Sequence, residues 1–248
     1  MKESMTSWMI SRRLQTIASF CPEGARVADI GSDHALLASY LIENKMASHV
    51  VAGELNEGPF QAAKKQIQSI GAEDRVSVRK GDGLAVLAPG EVDVICIAGM
   101  GGQLIVSILA DGAEKLEGVN RLILQPNVGE ELVRRWMQEN GWQLTHETIL
   151  EEDGIIYEIL VADRGVPDTP YLGKERTEEE LLRLGPFLWE EKSPVLTSKW
   201  MRERDKWRKV LEQLSRSEKE EAQERARQVE KELEWMDEVI ACLRTDKP

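Results

Sequence analysis

The residues with the most evident chemistry sit in "DIGSDHALL", Asp29 to Leu37. A glycine after an apolar run opens a turn, as in the dinucleotide fingerprint, which needs glycine at its first, third and sixth positions. Here those positions hold Gly31, Asp33 and Leu36, with Ser32 between the first two. A carboxylate at the third repels pyrophosphate and a leucine at the sixth obstructs close packing, so NAD and FAD are disfavoured. Asp29 and Asp33 attract cations instead. Further along, Glu54 is followed by Leu55 and Asn56, and an acidic side chain there can accept hydrogen bonds from two ribose hydroxyls. Asp82 in "GDG" can receive an exocyclic amine while Gly83 leaves room for a flat ring. "AGMGG" (Ala98, Gly99, Met100, Gly101 and Gly102) permits close backbone approach and lacks the Lys-Ser/Thr tail of a phosphate loop.

Each of these sets follows an apolar, β-branched run. "RVADIG" (26–31), "HVVAGEL" (49–55), "RVSVRKGD" (75–82), "DVICIAG" (93–99) and "RLILQPN" (121–127) are predicted as strands. Helix-like stretches such as "LLASYLIENK", "GPFQAAKKQIQSIG" and "GEELVRRWMQENG" separate them, which implies a parallel, doubly wound α/β sheet. "WQLTHETILEEDGIIYEILVAD" (142–163) reads as a hairpin turning at "EEDG", so the sheet should end in an antiparallel pair. A seven-stranded, mostly parallel Rossmann-like sheet with a terminal hairpin is the usual architecture of class I methyltransferases. Their cofactor, S-adenosyl-L-methionine, has no phosphate and carries a sulfonium and an ammonium, which suits carboxylates at strand ends.

The Gly/Pro-rich "DRGVPDTPYLGK" reads as a linker, placing a catalytic domain at 1–165 and a helical, coiled-coil-like domain at 166–248. In the latter, Val229, Leu233, Met236, Ile240 and Leu243 form one apolar stripe and Trp200, Trp207, Leu211 and Leu214 another. Ser217 with Glu220 matches a capping box, which favours two antiparallel helices; one long helix is the alternative.

Several positions have plain structural explanations. An acidic residue after a strand is a common turn former or helix cap. His34 is as suited to a local hydrogen bond as to catalysis, and Asn127 with Glu130 also fits a capping box. Joint occurrence at four strand ends is what favours a site. "RVADIGSDHALLASYLI", "AGELNEGPFQAA", "GDGL", "IAGMGG", "LILQPN", "EDGIIYEI" and "GPFLWEEKSP", with the charged helical tail, resemble the bacterial tRNA (adenine-22, N1)-methyltransferases over nearly the whole chain. Leu36 departs from the Tyr-Leu-Pro of many relatives. The resemblance implies S-adenosylmethionine as methyl donor, tRNA as substrate, and a helical appendage. Asp33 and His34, then Asn127, are the candidates to contact the base or the reacting methyl group.

The formal charge of −12 opposes capture of a polyanion by the whole surface. A local basic run from Lys199 to Arg216, seven cations against three acids, is the candidate RNA-contact face; a solvated helix face is the plain alternative. No stretch is long and apolar enough for a membrane span, the first residues lack the run of a signal peptide, and a cytoplasmic location is expected. Three scattered cysteines favour neither a disulfide framework nor a zinc site. A small-molecule or protein methyltransferase on the same sheet, or a noncatalytic RNA-binding protein, are the competing functions.

Overall fold

The computed structural model describes residues 10–217 and 219–245. The early elements are α1 (Arg12–Ser19), β1 (Ala25–Ile30), α2 (Leu36–Glu43), β2 (Ala47–Glu54), α3 (Glu57–Ser69) and β3 (Val76–Lys80). They are followed by β4 (Val94–Gly101), α4 (Gly102–Asp111), β5 (Arg121–Val128), α5 (Glu130–Glu139), β6 (Trp142–Glu152) and β7 (Ile155–Arg164). The seven strands order as β3-β2-β1-β4-β5-β7-β6, parallel except where β7 runs against β5 and β6. The predicted sheet and hairpin are therefore present. The hairpin turn is Asp153-Gly154, both left-handed at φ 52° and 79°, the backbone a two-residue turn needs to match strand twist.

Alternation along each strand divides the core into two layers. Val27, Val50, Cys96 and Ile123 face α1, α2 and α3 through Ile17, Leu41 and Ile67. Ala28, Val51, Ile95, Ile97 and Leu124 face α4 and α5 through Ile105, Leu109, Val133 and Met137. Cys21 and Cys96 lie in the first layer as free, buried thiols 4.0 Å apart.

Strand β4 differs from its expected end. It continues through the glycines to Gly101, with a register shift between Ala98 and Met100 where Gly99 sits at φ 79°. That left-handed glycine forms a bulge, which lets the edge bend while pairing with β5 persists.

The chain clusters into two compact units, one running to Phe187 and one from Leu188. This boundary lies beyond the linker at 165/166, and buried chemistry explains why. Arg134, on α5, is fully buried; its Nε donates to Glu147 Oε1 at 2.7 Å and its Nη2 to Glu158 Oε2 at 2.6 Å. Its Nη1 reaches Leu182 O at 3.1 Å, and Phe187 N donates to Glu147 Oε2 at 2.9 Å. The segment carrying α6 (Glu178–Leu184) thus supplies partners that these charges need in a dry interior.

After α7 (Pro186–Glu191), the second unit holds α8 (Pro194–Leu214) and α9 (Glu220–Thr245), two helices packed as a hairpin rather than one long helix. Val229, Leu233, Met236, Ile240 and Leu243 are buried as their spacing predicts, and Trp200 meets Trp235 edge to face at 5.2 Å. The capping-box expectation at Ser217 is not how α9 begins: Ser217 Oγ accepts from Lys219 N at 3.4 Å, and the helix starts at Glu220.

Candidate active site

Strands β1 and β4 are neighbours whose connections leave in opposite directions along the sheet, so a crevice opens at their carboxyl ends. A cavity of about 570 Å³ lies there. It is lined by Asp29, Gly31, Ser32, Asp33, Ala98, Gly99, Met100 and Asn127, and also by Arg13, Leu36 and Tyr157. His34 adjoins this lining through Asp33. Glu54, Leu55, Asn56, Asp82, Gly83 and Gly101 stand at the same sheet edge but outside the cavity wall.

The first turn is stitched to β2. Gly31 N and Ser32 N donate to Gly53 O at 2.9 and 3.2 Å, and Asp33 N donates to Glu54 Oε1 at 2.5 Å. Met100 packs across Gly31, where a side chain would collide with it. Three successive non-glycine residues then adopt left-handed backbone: Asp33, His34 and Ala35 at φ 34°, 64° and 53°. Each such residue costs on the order of 1 kcal/mol, so the surrounding bonds must hold the run in place. The strained turn throws both side chains outward. Asp33 and His34 are 83% and 61% exposed, and Asp33 Oδ1 lies 3.5 Å from His34 Nε2.

Asp29 is the opposite case. It is buried beneath the N-terminus of α2, accepts from the Ala38 amide, and has an Oδ2 with no hydrogen-bond partner. Burial, reinforced by the charge of Glu54, pushes its carboxyl up to about 7, against the opposing effects of the Ala38 amide and Arg13. An unpartnered buried carboxylate lining a cavity is a place for a cationic ligand.

Two plain explanations fail on the geometry. Asp82 is exposed and makes no cap bond to the short 3-10 turn Gly83–Val86 that follows it. Asn127 does not cap α5, whose cap position is Gly129. Instead Asn127 Nδ2 donates to Gly99 O at 2.8 Å, and its Oδ1 accepts from Gln125 Nε2 at 3.1 Å. Asn127 therefore holds the β4 bulge. At Gly83, a Cβ would approach Ile108 Cγ2 to 3.1 Å, so glycine keeps that corner open.

Sequence reasoning missed Gln125, Arg13 and Tyr157 as parts of this edge. Gln125 is fully buried; its Oε1 accepts from Arg13 Nη1 at 2.7 Å and Gly99 N at 3.1 Å. Arg13 stacks 5.3 Å from the Tyr157 ring centroid. In the sequence Arg13 stands out only as half of a basic pair with Arg12, and Gln125 only as the first letter of "QPN". Nothing local links positions 13, 125 and 157.

A Rossmann-like sheet with this strand order, carboxylates in place of phosphate-binding glycines, and an unpartnered acid in the crevice defines an S-adenosylmethionine-dependent methyltransferase. A family model described as tRNA (adenine(22)-N(1))-methyltransferase matches residues 27–238. The chain is 44% identical, over 95% of its length and 99% of the relative's, to the Bacillus subtilis tRNA (adenine(22)-N(1))-methyltransferase. The crystal structure of the B. subtilis m1A22 enzyme superposes with a TM-score of 0.87, covering 94% of this chain and 99% of that one. A Streptococcus pneumoniae putative tRNA (m1A22) methyltransferase, solved in complex with S-adenosyl-L-methionine, is 40% identical with a TM-score of 0.81, covering 94% and 100%. This chain belongs to the tRNA (adenine(22)-N(1))-methyltransferase family.

Proposed function

We propose that the carboxyl edge of this sheet transfers the methyl group of S-adenosylmethionine to N1 of adenine 22 in tRNA, with the work divided among named residues. Family membership supports the acceptor, and the observation that supports the cofactor's place is Asp29, whose buried Oδ2 lacks a partner in the crevice. S-adenosylmethionine supplies a methyl carbon made electrophilic by its sulfonium. Asp29 would hold the cofactor's ammonium, Glu54 and Asn56 its ribose hydroxyls, and Asp82 its adenine amine. Leu55, 55% exposed at the end of β2, offers an apolar surface to the adenine ring.

Adenine N1 has an in-plane lone pair and no proton at neutral pH, so attack needs alignment more than a base. Positive charge develops on the ring during transfer, and the N6 amine becomes more acidic. Asp33, in the cavity lining, and His34 beside it, both projecting from a strained turn, would accept from that amine and orient the base. Asn127 contributes by holding the Gly99 carbonyl in the opposite wall. Because the Watson-Crick edge is engaged within folded tRNA, the base must be extruded into the crevice.

The helical hairpin is the candidate RNA contact, through Lys199 to Arg216. Several of these cations already have acidic neighbours: Arg204 and Arg208 lie 3.1 and 3.3 Å from Asp237, Lys206 is 3.0 Å from Glu203, and Arg216 is 2.7 Å from Glu212. The exposed cations among these, Lys206, Arg208 and Arg216, form pairs worth only about 0–1 kcal/mol that exchange readily for phosphate partners.

The direct test is incubation of labelled S-adenosylmethionine with unmodified tRNA, followed by mapping of the block to reverse transcription. Label at N1 of adenine 22, lost with a guanine-22 tRNA, is expected; label elsewhere overturns the assignment. In single-turnover assays, Asp33→Ala and His34→Ala should slow methyl transfer about 10²- to 10⁴-fold with little change in tRNA affinity.

A further inference from the structure

Three of the exposed large hydrophobic side chains among the described residues belong to one junction of the sheet edge: Leu104 in the first turn of α4, Val128 at the end of β5 and Leu132 in the first turn of α5. Helix geometry turns the two leucines away from the core. Ile105 and Val133, the next residue in each helix, are buried against the sheet, and successive side chains on a helix point about 100° apart. Glycine brings the two helix starts together. A Cβ on Gly102 would collide with the Gly129 carbonyl, and one on Gly129 would meet Leu132 Cδ1 at 3.5 Å and Gly102 Cα at 3.7 Å. Val128 lies over Gly101, where a Cβ would stand 3.9 Å from its Cγ2. Asn127, the residue before Val128, lines the active-site cavity, so this apolar group borders the mouth through which a substrate base enters. Val128 is the most exposed of the three at 67%, and its branched side chain is stiff. The charges nearby select the chemistry of its partner. Residues 98–104 and 125–133 contain no Lys or Arg, and Glu130 and Glu131 open α5, so a phosphate is repelled here while the uncharged face of a base is not.

We propose that Val128, supported by Leu104 and Leu132, is an apolar wedge that packs against the tRNA bases next to adenine 22 and fills the gap in the stack that the extruded adenine leaves. Extrusion uncovers the faces of the neighbouring bases, and an apolar side chain inserted there offsets the lost stacking. These are positioning residues, since they act on the substrate's fold rather than on the cofactor or the reacting atoms. The inference rests on the extrusion of adenine 22 proposed above and names what the protein puts in its place.

A tRNA carrying fluorescent 2-aminopurine at position 22, bound to the full chain with S-adenosylhomocysteine, reports unstacking without turnover. The wild type should raise the fluorescence. The double variant Val128→Ser/Leu132→Gln should give a smaller rise at saturating protein and slow single-turnover methylation of ordinary tRNA roughly 10- to 100-fold, the scale of a lost base-stacking contact. Its S-adenosylhomocysteine affinity and melting temperature should match the wild type, because the substituted side chains are exposed; if the pair melts lower, Val128→Ser alone carries the same comparison. Val128→Ile, which keeps a branched apolar side chain, should retain both the fluorescence rise and the rate. A tRNA with an abasic site opposite adenine 22, where unpairing costs less, should recover most of the rate lost by the double variant, which a general loss of RNA contact would not allow. A full fluorescence rise with a wild-type rate in the double variant overturns the proposal, as does equal slowing on the two tRNAs. A wild-type dimer that the double variant dissociates in sedimentation would give the patch to a second copy of the chain and overturns it equally. Methylation by the wild type with no fluorescence rise would refute extrusion itself, and a wild-type chain that methylates no tRNA would refute the methyltransferase reading, each a different result from failure of the wedge.

Discussion

Replacing Asp29 by asparagine should make the ligand-free protein more stable at neutral pH while weakening cofactor binding. Asp29 is buried, its Oδ2 has no partner, and its carboxyl titrates near 7 instead of the ordinary 3.8. Below about pH 4 the carboxyl is protonated in both folded and unfolded chains, and the position has no pH-dependent effect. Between about 4 and 7 the unfolded chain ionises while the folded one does not, so stability falls as pH rises. Above 7 the loss is complete. At about 1.4 kcal/mol for each pH unit separating the two pKa values, the loss is about 4 kcal/mol at pH 8 and about 2 kcal/mol at pH 5. Asparagine has nearly the same shape and no titration, so the variant should be free of this slope. Urea denaturation of both proteins without ligand, at pH 5 and pH 8, gives the comparison. The variant's advantage should grow by about 2–3 kcal/mol from the lower to the higher pH. A wild-type-to-variant difference that stays constant over that range would refute a raised carboxyl at Asp29. Wild-type affinity for S-adenosylhomocysteine should in turn rise with pH towards 7, because the ammonium needs the ionised acid.

Glu54→Ala and Asp82→Ala should each weaken cofactor binding by about 1–3 kcal/mol in calorimetry, the scale of a hydrogen bond to a charged group. Glu54→Ala should also lower the melting temperature, since Glu54 holds the Asp33 amide, whereas exposed Asp82 should leave it unchanged. Arg134→Met, which removes the guanidinium held between Glu147 and Glu158 in a dry interior, should destabilise by about 3–5 kcal/mol at neutral pH in denaturant titration. Reversal of Lys206, Arg208 and Lys209 to Glu should weaken tRNA binding and reduce the slope of log affinity against log salt by about 0.7–0.9 for each phosphate no longer neutralised. An unchanged slope in filter binding would leave the run as a solvated helix face.

What the amino-acid order determined by itself was whatever depends on neighbours along the chain. Alternation in "RVADIG" and "DVICIAG" sets strands with one face to each core layer, and Asp153-Gly154 can turn a hairpin wherever it sits, because φ/ψ preferences are local. The stripe from Val229 to Leu243 likewise buries as its spacing requires. The acids at the ends of β1, β2 and β3 were legible too, since a parallel sheet brings all its strand ends to one edge. Only the tertiary structure decided which of those acids face the cavity and in what state. Asp29 and Asp33 are four residues apart, yet one is buried and titrates near 7 while the other is 83% exposed, because α2 covers the first and a left-handed run lifts out the second. Asn127 resembled a helix cap in sequence, but β4's bulge offered the Gly99 carbonyl to it and Gly129 took the cap position. Arg13, Gln125 and Tyr157 come from α1, β5 and β7, more than a hundred residues apart at the extremes. Their meeting depends on strand order and on a clasp from Glu152 at the hairpin tip, and hydrogen bonds closed across such distances leave no periodicity or spacing in the chain to read.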